Sequence, residues 1–190
     1  MRIACLFLLV IAVFIARAQK LPSNEEFVNE TIKTYDSKGP SSYYLVAGAD
    51  TCRFEKFDYD EWVKYHLQET VPLVTLNELA YKAHMAREPY YWKQDKLKKA
   101  ICISAKTADS LIDLPVRLGK EIFSLSQPFF TDDGQYAVMD VNMIGKPGTG
   151  GGLTFLYRHK KDGWHVVGAK QNWGPGGIMK SPSIGSHTLP

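Results

Sequence analysis

Several polar side chains in the C-terminal half of the chain are spaced so that they could form a ligand site. Gln127, Asp140 and Tyr157 are predicted to lie side by side across an antiparallel sheet, in one row with Gly168. Because side chains alternate between the two faces of a strand, Asn142 shares the face of Asp140. A carboxylate, amides and a phenol beside a glycine are typical of the few polar groups in an apolar pocket.

Asp140 is the candidate for chemistry on this face. Burial among aromatic side chains would raise the pKa of its carboxyl group and suit it to general acid–base work. Trp62 and His66 lie on a predicted helix that could cover the same face as a lid. The alternative is that Asp140 only accepts hydrogen bonds from Tyr157 and Gln127 in a satisfied core network. The sequence leaves both interpretations open.

The row depends on two predicted hairpin turns, centred on Asp133-Gly134 and Asp162-Gly163. If the glycine-rich loop at 145–152 closes symmetrically, Asp140 lies opposite Tyr157. A phosphate-binding loop is not indicated there, because the loop joins two strands and no Gly-Lys-Ser/Thr follows. The same face is predicted to carry the apolar residues Phe123, Leu125, Phe129, Tyr136, Val138, Leu153, Phe155, Trp164 and Val166.

Four predicted strands position these residues, at 122–131, 135–144, 153–161 and 164–173. Two earlier strands are predicted at 42–47 and 99–104. A run of strands that ends the chain, after a helical half, indicates an α+β domain.

The N-terminal half is predicted to be mainly helical. Ser23 and Thr75 each precede a glutamate by three residues, which is the spacing of a capping box. We therefore expect N-terminal helices packed on a curved antiparallel meander sheet of four to six strands. A cystatin-like or NTF2-like cone is the closest architecture, and residues 19–173 form the domain.

The first eighteen residues predict where the protein works. A basic start at Arg2 is followed by an apolar run at 3–15 and by Ala16-Arg17-Ala18, with small residues at the cleavage positions. This pattern is typical of a secretory signal peptide cleaved after Ala18, and the apolar run is too short to span a bilayer. We expect a secreted or periplasmic protein, and the Gly-, Pro- and Ser-rich residues 174–190 predict a flexible tail.

The mature chain would contain two cysteines, Cys52 and Cys102. In an oxidising compartment they could form one disulfide, but a buried free thiol is equally compatible with Cys102, which alternates with isoleucines in a strand. No histidine or cysteine spacing indicates a metal site, and no cofactor motif occurs. Cleavage would remove Arg2 and Arg17 and lower the formal net charge from +3 to +1, and a nearly neutral chain does not indicate nucleic-acid binding. Asn29-Glu30-Thr31 is a glycosylation sequon, which matters only in a eukaryotic host.

Four short segments resemble a family. They read SQPFF at 126–130, DGQYAV at 133–138, GGGL at 150–153 and GWHV at 163–166. This pattern resembles the C-terminal part of uncharacterised secreted proteins common in the Bacteroidota, many of which carry cysteines around the glycine loop that this chain lacks. The resemblance implies a secreted or periplasmic location and no particular activity.

Three hypotheses for function follow. The first is a non-catalytic secreted domain that binds a small apolar ligand or a protein partner in an aromatic pocket on the sheet face. The second is a small secreted enzyme that uses Asp140, with His66, in the same pocket. The third is an accessory protein without a pocket, which contacts a partner through its glycine loop and tail.

Overall fold

A computed structural model of the chain describes residues 21–32, 42–54, 59–112, 120–145 and 150–173. The predicted signal peptide at 1–18 and the predicted tail at 174–190 lie outside these ranges. The described chain is α+β, with helices packed on both faces of one open, mixed sheet of seven strands.

The sheet differs from the predicted antiparallel meander of four to six strands. Its order is β2-β1-β3-β5-β6-β7, with the short β4 beside β5. β1 lies between β2 and β3 and pairs with both in the parallel direction, whereas the other pairs are antiparallel. The seven strands are β1 (Tyr43–Val46), β2 (Ala100–Ile103), β3 (Ile122–Leu125), β4 (Phe129–Phe130), β5 (Tyr136–Ile144), β6 (Gly151–Lys160) and β7 (Gly163–Trp173).

The helical elements are α1 (Asn24–Thr31), α2 (Tyr59–Glu61) with the π-helical turn Trp62–His66, α3 (Leu73–Met85), the 3-10 turn Gln94–Lys96 and α4 (Ala105–Ile112). The capping box of α1 is confirmed: the Glu26 N–H donates to Ser23 Oγ at 3.3 Å, and the Ser23 N–H donates to Glu26 Oε2 at 2.7 Å. The predicted start of α3 at Thr75 is wrong: Pro72 is the N-cap, and its carbonyl already accepts the Leu76 N–H at 3.3 Å, so the helix begins at Leu73.

α1 covers one face of the sheet, which we call the α1 face. Phe27 makes edge-to-face contacts with Phe130, Tyr157 and Trp164, with ring centroids 5.0–5.1 Å apart. Such pairs add about 0.5–1.5 kcal/mol each beyond the burial of apolar area. The aromatic side chains of this face therefore pack against a helix.

The opposite face, the α3 face, is covered by α3 and by Trp62. The buried side of α3 consists of Leu76, Leu79, Ala80 and Ala83, which pack with strand residues that include Val138 and Leu156. Trp62 also stacks edge-to-face on Phe54, with ring centroids 5.3 Å apart.

The register of β5 and β6 corrects the predicted row. Asp140 lies opposite Thr154, and Tyr157 lies opposite Ala137. The slip relative to the prediction is three residues, and an odd slip moves a side chain to the other face of the sheet. Tyr157 is therefore on the α1 face and Asp140 on the α3 face. The reason is that Gly151 and Gly152 already belong to β6, where they pair with Met143 and Asn142, so this hairpin is centred earlier than predicted.

The two hairpin turns behave differently. The first keeps its predicted register, with Phe129 opposite Val138 and Phe130 opposite Ala137. The last turn is centred one residue earlier than predicted, since Lys160 lies opposite Gly163, and an irregularity after Leu156 then brings Gly168 opposite that leucine.

The predicted face is consequently divided between the two sides of the sheet. Phe129, Tyr136 and Val138 lie on the α3 face with Asp140, as predicted. The remaining predicted members belong to or pack against the core of the α1 face: Phe123, Leu125, Leu153, Phe155, Trp164 and Val166.

Candidate functional site

Asp140 lies at the centre of β5 with none of its surface exposed to solvent. Its Oδ2 accepts the backbone N–H of Arg53 at 2.8 Å, and its Oδ1 accepts the Thr154 hydroxyl at 2.5 Å. The Cys52 thiol donates to Oδ1 at 3.8 Å. Both carboxyl oxygens thus have donors, supplied by the segment after β1 and by β6.

Further polar groups extend this network across the sheet. The Asn172 amide donates to Thr154 Oγ1 at 2.8 Å, which links β6 to β7. The backbone N–H of Asp140 donates to Ser126 Oγ at 2.9 Å, which links β5 to the end of β3. We call these residues, with Cys52 and Arg53, the Asp140 network. Hydrogen bonding of this extent is what a buried carboxyl group needs to be tolerated in a core.

The electrostatics of the network follow from burial. Burial raises the pKa of the Asp140 carboxyl group above its ordinary value, although the hydrogen bonds from Thr154 and Arg53 act in the opposite direction. Burial and the nearby carboxylate raise the pKa of the Cys52 thiol strongly, so the thiol stays protonated and serves as a donor. These contacts are those of a hydrogen-bonded core network, with donors other than the predicted Tyr157 and Gln127.

The other predicted site residues are dispersed. Asn142 shares the α3 face, as predicted, and its amide donates to Asp50 Oδ2 at 3.0 Å. Gln127 is half-buried outside the paired strands, where its carbonyl accepts the Ser126 hydroxyl at 3.1 Å. Tyr157 is buried on the α1 face. The structure therefore brings Asp140 and Asn142 onto one face and places Tyr157 on the other.

Trp62 and His66 lie on the α3 face over Gly168. A Cβ atom added to Gly168 would be 2.9 Å from Leu67 Cδ2, 3.0 Å from Trp62 Cζ3 and 3.2 Å from the His66 carbonyl oxygen. We call residues 59–68 the lid segment. It is fixed at the edge of the sheet, because the Gln68 N–H donates to the Val167 carbonyl at 2.8 Å.

Both described cysteines are free thiols, so the structure contains no Cys52–Cys102 disulfide. The physical reason is distance across the sheet. Cys102 lies on β2, whereas the Cys52 sulfur lies beside Asp140 on β5, and β1 and β3 separate these strands. Three strand spacings amount to about 14 Å, whereas bridged cysteines have Cα atoms within roughly 7 Å.

The described ranges contain neither a metal-binding cluster nor a membrane-spanning helix. No group of three or more His, Cys, Asp or Glu side chains there could hold a metal ion. No helix within those ranges combines the length and apolar character needed to cross a membrane.

The outer side of α3 is a feature that the sequence analysis missed. Val74 is 73% exposed and Tyr81 is 65% exposed, and Met85 is exposed in the same line. The three residues follow a spacing of i, i+7 and i+11, so they form one stripe on the side of the helix opposite its buried face. The sequence of α3 contains two apolar stripes, and the buried residues form only one of them. The second stripe could therefore have been recognised from the sequence as an exposed one.

No protein-family model matches the chain, and neither does any curated protein or solved structure.

Proposed function

We propose that the protein is a secreted or periplasmic binding domain without catalytic activity, which docks a protein partner on the outer side of α3. The observation that carries this proposal is the exposed stripe formed by Val74, Tyr81 and Met85. Tyrosine and methionine are enriched in protein interfaces, and exposed apolar side chains grouped on one side of an element mark candidate interaction surfaces. The partner would present an apolar surface of its own.

The surroundings of Asp140 support binding rather than catalysis. Its carboxyl group is enclosed, and both oxygens already accept hydrogen bonds from Arg53, Thr154 and Cys52. A general acid or base must reach the proton that it transfers. The raised pKa is what the enzyme hypothesis requires, but the geometry gives a substrate no approach to the carboxyl group.

The aromatic side chains favour a protein partner over a small apolar ligand. Phe27 on α1 fills the space against Tyr157 and Trp164, where the predicted aromatic pocket would otherwise be expected. Among the described residues, four of the eight exposed large apolar side chains lie on α3, and they include Val74 and Tyr81.

The location and architecture are part of the same proposal. The signal-peptide pattern and the resemblance to secreted Bacteroidota proteins support export, and the sheet irregularities along β6 and β7 support a curved, cone-like sheet. N-terminal sequencing of the exported protein should find Gln19 as the first residue. A product that retains Met1 in a membrane fraction would contradict the export proposal.

Site-specific photo-crosslinking tests the docking surface. A photoreactive amino acid at Tyr81 should give one discrete protein adduct in the secreted or periplasmic fraction of the source organism. Adding Val74→Ser and Met85→Ser should reduce its yield at least tenfold. The matched control places the same amino acid at Asp109, which is exposed on α4. No adduct at position 81, or an identical adduct from position 109, would overturn the proposal.

A further inference from the structure

The outer edge of β2 has an unusual partner. β1 uses one side of β2, since the Tyr43 N–H donates to the Lys99 carbonyl at 3.2 Å and the Ala47 N–H donates to the Ile103 carbonyl at 2.9 Å. The backbone groups of the residues between them, at positions 100 and 102, therefore point away from β1. In the described part of the chain no strand pairs with that side, so β2 is an edge strand.

The side chain of Gln94 takes the place of a neighbouring strand. Its amide nitrogen donates to the Ala100 carbonyl at 2.8 Å, and its amide oxygen accepts the Cys102 N–H at 2.6 Å. A carbonyl and an N–H two residues apart are the groups that an adjacent strand engages in a ladder. The carboxamide therefore supplies the donor and the acceptor that one residue of an added parallel strand would supply.

The side chain of Asn29 makes the same kind of contact with backbone groups four residues earlier in the chain. Its amide donates to the Lys96 carbonyl at 2.8 Å, and its oxygen accepts the Lys98 N–H at 2.8 Å. Asn29 lies on α1, which is anchored in the core through Phe27. Gln94, in contrast, is exposed on a three-residue turn, so its side chain can leave the edge without disturbing the core.

The charge next to this edge is positive. Lys93, Lys96 and Lys98 are all exposed in the segment that leads into β2, against one exposed carboxylate, Asp95. Complementary charge steers association and selects among partners. Acidic side chains on an incoming peptide would match this surface.

We propose that the outer edge of β2 is a strand-addition site for an extended acidic peptide, closed in the free protein by the Gln94 carboxamide. The peptide backbone takes over the hydrogen bonds to Ala100 and Cys102, as in other cases of β-strand addition. Gln94 is released to water, so one pair of hydrogen bonds replaces another. This site is separate from the stripe on α3, and neither proposal depends on the other.

The probe is a fluorescein-labelled synthetic peptide of alternating Glu and Val, measured by fluorescence anisotropy. Gln94→Ala should bind this peptide at least tenfold more tightly than the wild-type protein. Gln68→Ala, which changes an exposed glutamine of the lid segment, is the matched control and should bind as the wild type does. Gln94→Met keeps the bulk of the side chain and should match Gln94→Ala, so the test does not depend on one variant folding well.

Two modified peptides separate strand pairing from charge. Methylation of alternate backbone nitrogens removes the donors of a strand and should abolish binding, whereas replacing Glu by Lys should weaken it at least tenfold. Amide hydrogen exchange at Cys102 should accelerate in Gln94→Ala and slow again when the peptide is added. Equal affinity of the Gln94 variants and the wild type, or unchanged binding of the methylated peptide, would overturn the proposal. Self-association of Gln94→Ala without peptide binding, seen by sedimentation, would overturn it in favour of a second copy of this chain.

Discussion

Replacing Asp140 measures what its network contributes to stability. In Asp140→Ala the part-buried Arg53 N–H and the buried Cys52 thiol lose their acceptor, whereas the Thr154 hydroxyl can turn to Asn172 Oδ1, which is 3.0 Å away. Leaving buried donors without an acceptor costs about 1–3 kcal/mol. We therefore expect the free energy of unfolding to fall by that amount in the alanine variant.

Asp140→Asn is the matched comparison, because it keeps the shape of the side chain. Its oxygen can accept the Arg53 N–H, and its amide can donate to Thr154 Oγ1 once that hydroxyl turns to Asn172. The Arg53 N–H and the Thr154 hydroxyl then remain paired, and only the weak Cys52 thiol donor loses its acceptor, so the cost should stay below about 1 kcal/mol. Urea titrations followed by tryptophan fluorescence measure both variants. An asparagine variant that is as unstable as the alanine variant would refute this account of the network.

The pH dependence of stability, compared between the wild type and Asp140→Asn, tests the raised pKa of Asp140. The pKa of the Asp140 carboxyl group is raised in the folded state, so the folded protein takes up this proton at a higher pH than the unfolded chain. The resulting stability is fully present below about pH 4, the ordinary pKa of an aspartate, and is lost as the pH rises through the folded-state pKa. The wild type should therefore gain stability relative to Asp140→Asn on acidification. A constant difference across this range would contradict the raised pKa.

Three further predictions concern other sites. In the same urea titrations, Gly168→Ala should lower the free energy of unfolding by about 1–3 kcal/mol because its Cβ would overlap the lid segment. Gly48→Ala, whose Cβ would meet only a 3.8 Å contact, should lower it by less than about 0.5 kcal/mol. Equal losses in the two variants would be inconsistent with the packed lid. Gly163→Ala should lower the melting temperature because Gly163 has a φ of 121°, and an unchanged melt would argue against that turn. Thiol titration of the native protein should find Cys102 reacting first and Cys52 only after unfolding, whereas a protein without free thiols would contradict the structure.

Local signals predicted the parts of the fold that depend on neighbouring residues. The capping box at Ser23 and the first hairpin register were readable because each is fixed within a few positions of the chain. The α3-face placement of Tyr136, Val138 and Asn142 with Asp140 follows from the alternation of a single strand, β5.

Pairing between distant segments was not readable in the same way. The Asp140 network depends on the backbone N–H of Arg53, and every residue type except proline carries that donor. Thr154 lies in the network because the pairing of β5 with β6 differs by three residues from the predicted register, and no residue of the glycine-rich segment specified the observed one. Candidate acceptors can thus be found from sequence alone, whereas their donors require the assembled sheet.

The insertion of β1 between β2 and β3 has a consequence for how the protein folds. The ribosome synthesises β1 before both of its neighbouring strands. Tyr44 therefore cannot pair with Ile122, and the middle of the sheet cannot form, until residue 122 has been added. Contacts between residues so far apart slow folding, and unpaired strand edges in the interval favour aggregation. The native sheet can therefore form only after Ile122 has been synthesised, with β1 unpaired on that side until then.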